Sequence, residues 1–228
     1  MTAPSLIKVS VSRTRIKFCG LRRPRDVAAA VELGVDAVGL ILVPASPRHV
    51  SVEQAAKLRA GLPPFVSSVA LFRDPDAAFV QDAIDAIRPD LLQFHGSEAP
   101  DFCASFGVPF LKAVAMGGER RSTTGLRAEA RRYAAASGLL LDSHAPGGMG
   151  GRGQVFVWDN LPKVSRPLVL AGGLNPGNVA RGITAVRPFA VDVSSGIEQI
   201  PGVKDADKMR AFVAAVRRAD AKLNREPR

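Results

Sequence analysis

The sequence is poor in the residue types that build metal centres, disulfide frameworks and base-stacking platforms. Its two cysteines in 228 residues, Cys19 and Cys103, have no C-x-x-C or metal-type spacing and read as thiols of a reducing compartment. The three histidines, His49, His95 and His144, stand singly, so no metal ligand cluster is expected. One Trp, one Tyr and eleven Phe, mostly inside apolar runs, offer no stacking surface for single-stranded nucleic acid. No apolar stretch approaches the ~18 residues of a membrane span, so no membrane partner is expected. Met1 to Arg15 lacks the apolar run of a signal peptide, and the expected location is the cytoplasm. The basic residues, 31 against 21 acidic ones for a net charge of +10, never run longer than a doublet such as Arg22-Arg23. That excludes a basic nucleic-acid arm and leaves a small anion as the expected partner.

What the sequence does have is a repeat. Short β-branched or Leu-rich runs occur at Arg15–Cys19, Ala37–Val43, Val66–Phe72, Leu91–Phe94, Phe110–Val114, Leu139–Leu141, Leu168–Leu170 and Phe189–Val193. Their starts are about 25 residues apart, the length of one strand, one helix and two turns. AVGLILV at Ala37–Val43 is apolar on both alternating faces, as a strand buried on both sides of a parallel sheet must be. Between the runs lie helix signals. Asp74-Pro75 and Asn175-Pro176 each place a capping side chain before a proline, and Ser51 with Gln54 spells a capping box. Val80, Ile84 and Ile87 share one helical face, as do Met209, Phe212, Val213 and Val216.

Eight strand-then-helix units without a linker predict an α/β fold, a single-domain (β/α)8 TIM barrel over residues 15–220, with frayed tails at 1–14 and 221–228. A Rossmann sheet would carry G-x-G-x-x-G after its first strand, where this chain has Phe18-Cys19-Gly20-Leu21-Arg22-Arg23.

Barrel active sites form at the carboxyl ends of the strands, which directs attention to the residue ending each run. Gly172-Gly173 after the seventh strand and Ser194-Ser195-Gly196 after the eighth are either ordinary turns or a phosphate cradle of backbone N–H groups. Both loops carry the signal at the two required positions, which favours a phosphorylated ligand. Cys19 ends the first strand and Asp142 the sixth, three steps apart around the ring and so on opposing walls. Cys19 reads as a core thiol or a base, and Asp142 as a loop-fastening carboxylate or an acid. Arg48, in a loop stiffened by Pro44 and Pro47, reads as solvated surface or as a bidentate carboxylate grip. His95 fits an orienting role, and Cys103 fits the core.

In order along the chain, Ile16-Lys17-Phe18-Cys19-Gly20-Leu21, Gly34 to Leu40, Ser46-Pro47-Arg48, Leu92-Gln93-Phe94-His95-Gly96, Leu141-Asp142, Gly150 to Phe156 with Trp158, Ala171 to Leu174 and Asp192-Val193-Ser194-Ser195-Gly196 resemble the phosphoribosylanthranilate isomerases of tryptophan biosynthesis. The resemblance spans about residues 15–220. It implies an Amadori rearrangement of N-(5-phosphoribosyl)anthranilate to 1-(2-carboxyphenylamino)-1-deoxyribulose 5-phosphate, with no metal or cofactor. It implies Asp142 as general acid, Cys19 as general base, Arg48 at the anthranilate carboxylate, Asp192 near the sugar, and Gly173, Ser195 and Gly196 at the phosphate. The chain departs from the family pattern in Phe156-Val157-Trp158, where Phe-Asp-Trp is usual, and in an added Pro146-Gly147-Gly148-Met149, a candidate lid. Phe18 and Phe94 replace the usual aliphatics.

The nearest rival is another phosphate-binding barrel, such as indole-glycerol-phosphate synthase, which would need a catalytic lysine at the mouth. Lys17, placed beneath the mouth by alternation, and Lys112 on strand five are the candidates. A non-catalytic phosphate-ligand sensor is the rival of another class. The oligomeric state is not set by these features, which lean to a monomer. Three substrate charges do not require +10, so most of the arginine excess is expected to be solvated surface.

Overall fold

Strands buried on both faces must be covered by helices outside and closed on themselves inside, and the chain does both. The computed structural model describes residues 13–117, 123–143, 158 and 161–225. Strands β1 (Arg15–Cys19), β2 (Ala37–Ile41), β3 (Ser67–Phe72), β4 (Leu91–Phe94), β5 (Phe110–Ala115), β6 (Gly138–Asp142), β7 (Leu168–Leu170) and β8 (Ala190–Val193) form a closed barrel. Each neighbour pair is parallel, and β1 closes the ring on β8 with Lys17 opposite Asp192. This is the eight-stranded barrel expected from the sequence repeat.

Helices α1 (Pro24–Glu32), α2 (Val52–Ala60), α3 (Ala77–Ile87), α4 (Pro100–Ala104), α5 (Thr123–Arg132), α6 (Val179–Val186) and α7 (Ala206–Leu223) cover the outside. The main core lies between them and the ring. Phe18 meets Phe212 of α7 edge-on with ring centroids 6.0 Å apart. Phe94 stacks on Phe72 and Phe106 and meets Phe102 and Phe110 edge-on. The two aromatic departures from the family pattern are therefore outward-facing packing residues. A hairpin of β9 (Glu198–Ile200) and β10 (Val203–Lys204) follows the eighth strand.

Three local expectations are corrected. Helix α3 is capped by Asp76, whose carboxylate accepts from Phe79 N at 2.7 Å, and not by Asp74. Asp74 takes a left-handed backbone and accepts instead from Ser97 N at 2.6 Å, fastening two loops. Asn175-Pro176 likewise lies in turns, and α6 begins at Val179 after Asn178. The Ser51 box is half made: Ser51 Oγ accepts from Gln54 N, but the Gln54 side chain is turned to Arg22, donating to its carbonyl, instead of accepting from Ser51 N. Replacing Asp76 by Ala is expected to cost about 0.5–2 kcal/mol, read as a lower denaturant midpoint, because Phe79 N loses its acceptor and the helix N-terminus loses a negative charge.

The expected boundaries also move. Thr14 is buried and fixed by Asp220, which accepts from its N and Oγ1 at 2.8 and 2.7 Å, and α7 runs past 220 to Leu223. Residues 161–167, with Pro162 and Pro167, hold no helix, so the sixth unit does not show one among the described residues. The remainder of that segment, with Gly150 to Val157 and the candidate lid at Pro146–Met149, lies outside the described residues, as do Met1 to Ser12.

Candidate active site

Strand alternation decides what faces the interior. On β1, β2 and β3 the inward residues end at Cys19, Ile41 and Leu71, which form a small apolar cluster of their own at the mouth. A lower layer of Leu111, Ala113, Leu140, Val169, Ala171 and Ala190 closes the barrel beneath. One step further along each strand come the polar groups. An open cavity of about 670 Å³, solvent-filled volume included, is lined by Cys19, Arg48, Arg73, His95, Asp142 and Asp192 together with Ile41, Val43 and Leu71. A second recess of about 310 Å³ is lined by Gly172, Gly173, Ser194 and Ser195 and shares Asp142 and Asp192 with the first. The two form one continuous cleft across the mouth.

The glycine loops are built around backbone approach. Gly172 and Gly173 have φ of 76° and 67°, a left-handed pair that residues with side chains rarely adopt. A Cβ at Gly172 would fall 2.2 Å from Ser143 N, and at Gly196 a Cβ would overlap the Leu174 carbonyl oxygen. Asn178 braces the loop, donating to Gly173 O at 2.9 Å and accepting from Asn175 N at 2.8 Å. Ser194 Oγ donates to Cys19 O at 3.0 Å, tying the β8 loop to the end of β1.

Asp142 lies opposite Cys19, with its Oδ2 3.4 Å from His95 Nε2. The other ring nitrogen, Nδ1, meets the Gln93 amide nitrogen at 3.2 Å. The His95 ring therefore lies between the Gln93 amide and the Asp142 carboxylate.

Arg48 does make a bidentate carboxylate grip, but on a residue of its own chain. Its Nε and Nη2 donate to Glu198 Oε1 and Oε2 at 2.8 and 2.7 Å. Glu198 also accepts from buried Lys204 Nζ at 2.8 Å, and Lys204 donates to Ser194 O at 2.9 Å. Burial pushes the Glu198 carboxyl up, yet Arg48 and Lys204 outweigh it and hold the group below its usual range. Two of the five guanidinium N–H groups are used in this way, which leaves three for a ligand. Sequence reasoning missed Glu198 and Lys204. A buried bidentate arginine calls for a carboxylate, but nothing in spacing singles out a partner 150 residues away.

The lysines expected of the rival synthase are committed elsewhere. Lys112 is held by Glu98 Oε2 at 2.8 Å and by the carbonyl of Gly96, and Lys17 by Asp192 Oδ1 at 2.8 Å. Cys103 is core, with burial pushing its thiol up to about 11. Among the described residues no cluster of His, Cys, Asp and Glu could hold a metal ion, and no helix is long and apolar enough to cross a membrane.

Residues 16–215 match the family model of N-(5'-phosphoribosyl)anthranilate isomerase. The isomerase of Stenotrophomonas maltophilia strain K279a is 52% identical over 212 residues, covering 92% of this chain and 96% of that protein. The Bordetella parapertussis isomerase is 51% identical, covering 91% and 98%. A solved phosphoribosylanthranilate isomerase in complex with reduced 1-(o-carboxyphenylamino)-1-deoxyribulose 5-phosphate superposes with a TM-score of 0.75 at 34% identity, covering 90% of this chain and 98% of that one. The Thermotoga maritima isomerase superposes with a TM-score of 0.77 at 35% identity, over 90% and 98% of the two chains. With the barrel, the two glycine loops and the facing thiol and carboxylate in place, the chain belongs to the N-(5'-phosphoribosyl)anthranilate isomerase family.

Proposed function

We propose that Asp142 and Cys19 act as acid and base, from opposing walls of one cleft, in the isomerisation of N-(5'-phosphoribosyl)anthranilate in tryptophan biosynthesis. The observation that carries this assignment is that both line the same cavity while the glycine recess opens beside Asp142. The substrate is anionic at both ends, with a carboxylate on an aromatic ring and a phosphate on the sugar. Ile41, Val43 and Leu71 form an apolar wall for the ring, beside the remaining Arg48 donors for its carboxylate. Gly173 and Ser195, which line the recess, take the phosphate with Gly196 next in the same loop, and Asp192 borders the sugar.

The reaction needs two proton movements. Asp142 protonates the furanose ring oxygen, the C1–O bond breaks, and the anilino nitrogen lone pair forms a C=N⁺ bond. That cation is an electron sink, so the C2 proton becomes acidic enough for a thiolate to remove. The C2–H electrons form C1=C2 and neutralise the nitrogen, giving an enolamine that tautomerises to the ketone by gaining a proton at C1 and losing one from O2. Cys19 is then one proton long and Asp142 one short, and return of that proton resets the pair.

Burial pushes the Cys19 thiol up. The iminium cation formed beside it reverses that preference when the base is needed. The oligomeric state proposed is a monomer, and the location proposed is the cytoplasm. Freshly made phosphoribosylanthranilate should lose its anthranilate-type fluorescence when purified protein is added, and a tryptophan auxotroph lacking this step should be rescued. Folded protein that gives neither result would overturn the activity.

A further inference from the structure

The interior beneath the mouth holds an ion pair that the barrel does not need for packing. Lys17 and Asp192 are both buried, on neighbouring strands and in register, with Nζ 2.8 Å from Oδ1. Leu111, Ala113, Leu140, Val169, Ala171 and Ala190 form the apolar cluster of that interior. A buried pair of this kind is weak evidence for stability, since apolar residues of similar size often do as well or better. Lys17 is two residues before Cys19 on the same inward face of β1, and the position opposite Cys19 on β2 is Gly39. A Cβ at Gly39 would lie 2.7 Å from Cys19 Sγ and 3.1 Å from Lys17 Nζ. Sulfur and ammonium therefore border one methyl-sized space, and the glycine leaves nothing between them.

We propose that Lys17 is the counter-ion of the Cys19 thiolate, a positioning residue that Asp192 anchors and Gly39 admits, on the reading that Cys19 is the base. An ammonium has three donors, of which Asp192 takes one, leaving others for sulfur. When Cys19 ionises its proton leaves to solvent and Lys17 keeps its charge, so the pair neutralises in place. Lys17 itself does not touch the reacting carbon.

The charged groups around the thiol agree with this. Burial pushes the thiol up and Lys17 opposes it; Asp192 on β8 pushes it up further, and Lys204 on β10 pulls it down. Arg48, Arg73, His95 and Asp142 face it across the cavity. Burial favours a neutral Lys17 amine, but Asp192 and Cys19 outweigh this and hold the group above its usual value, so it stays charged.

The test reads Cys19 ionisation without turnover: the pH dependence of iodoacetamide alkylation at Cys19, in a Cys103→Ala background. The sign is fixed, because the thiolate is the reactive form and alkylation rises as pH passes the thiol pKa. Lys17→Met should move that rise upward by about 1–3 pH units, the range expected for loss of an opposite charge at this distance. Lys17→Arg should return it towards the parent. If Lys17→Met does not fold because Asp192 is left unpaired, Lys17→Met with Asp192→Asn removes both charges and should still show the upward shift against Asp192→Asn alone. Coincident profiles would overturn the proposal, as would a downward shift. The acid limb of kcat/KM should move with the alkylation profile in the Arg and Met variants. Failure of Cys19 as base would show separately, as Cys19→Ala with full activity.

Discussion

Asp142→Asn should lower kcat by about 10²- to 10⁴-fold, the usual contribution of a positioned general acid, with KM nearly unchanged. The amide has the shape of the carboxyl, but it has no acidic proton to give the ring oxygen. Cys19→Ala should lose a similar factor at the later step. The two losses differ in kind. With C2-deuterated substrate, Cys19→Ala should show a large primary isotope effect, because proton removal from C2 limits the rate. Asp142→Asn should suppress that effect, because ring opening now comes first and slow. Full activity in either variant would show that its role is wrong, and isotope effects in the reverse order would exchange the roles. Circular dichroism and melting of both variants separate lost chemistry from lost fold.

The barrel was legible in the sequence because parallel strands covered on both sides must be apolar on both faces. Val38 and Leu40 pack outward into the helix layer while Ile41 faces the cleft, and both sets show in the run Ala37–Val43. Helix starts were less legible. Asp74-Pro75 carries the right residues for a cap, but cap and loop fastener use the same side-chain chemistry. Only the neighbouring Ser97 N–H decides that Asp74 serves the loop and Asp76 the helix.

The site divides in the same way. Cys19, Asp142, Asp192, Gly173 and Ser195 sit at strand ends, so strand order alone brings them to one mouth. Glu198, Lys204 and Glu98 lie on a hairpin or a loop whose position local periodicity does not set, and Glu198 meets Arg48 from 150 residues away. Arg48 lies between these cases: its bidentate chemistry was readable, but its intrachain partner was not. Glu198 holds the guanidinium through two hydrogen bonds, which fixes its orientation at the cavity lining.

Glu98→Ala should destabilise the protein by about 3–5 kcal/mol, because it leaves the Lys112 ammonium buried and uncompensated. Glu98 does more than pair with Lys112. Its Oε1 accepts from Asp74 N at 2.8 Å, and both oxygens accept from Gly96 N at 3.1 and 3.0 Å. Its backbone carbonyl accepts from Tyr133 OH at 2.8 Å. One buried carboxylate therefore joins the loops after β3 and β4 to strand β5, just beyond His95. For a chain of this size the loss corresponds to a melting temperature lower by ~10 °C or more. Glu98→Gln with Lys112→Met removes both charges but keeps a carbonyl for the backbone donors, and should recover most of that stability. A double variant no better than Glu98→Ala would place the cost in the backbone bonds instead of the stranded charge. In either case Gly96 N, next in the chain to His95, loses its acceptor, so kcat should fall in Glu98→Ala even well below the melting temperature. A variant that melts within a degree of the parent and keeps its rate would show that neither loop depends on Glu98.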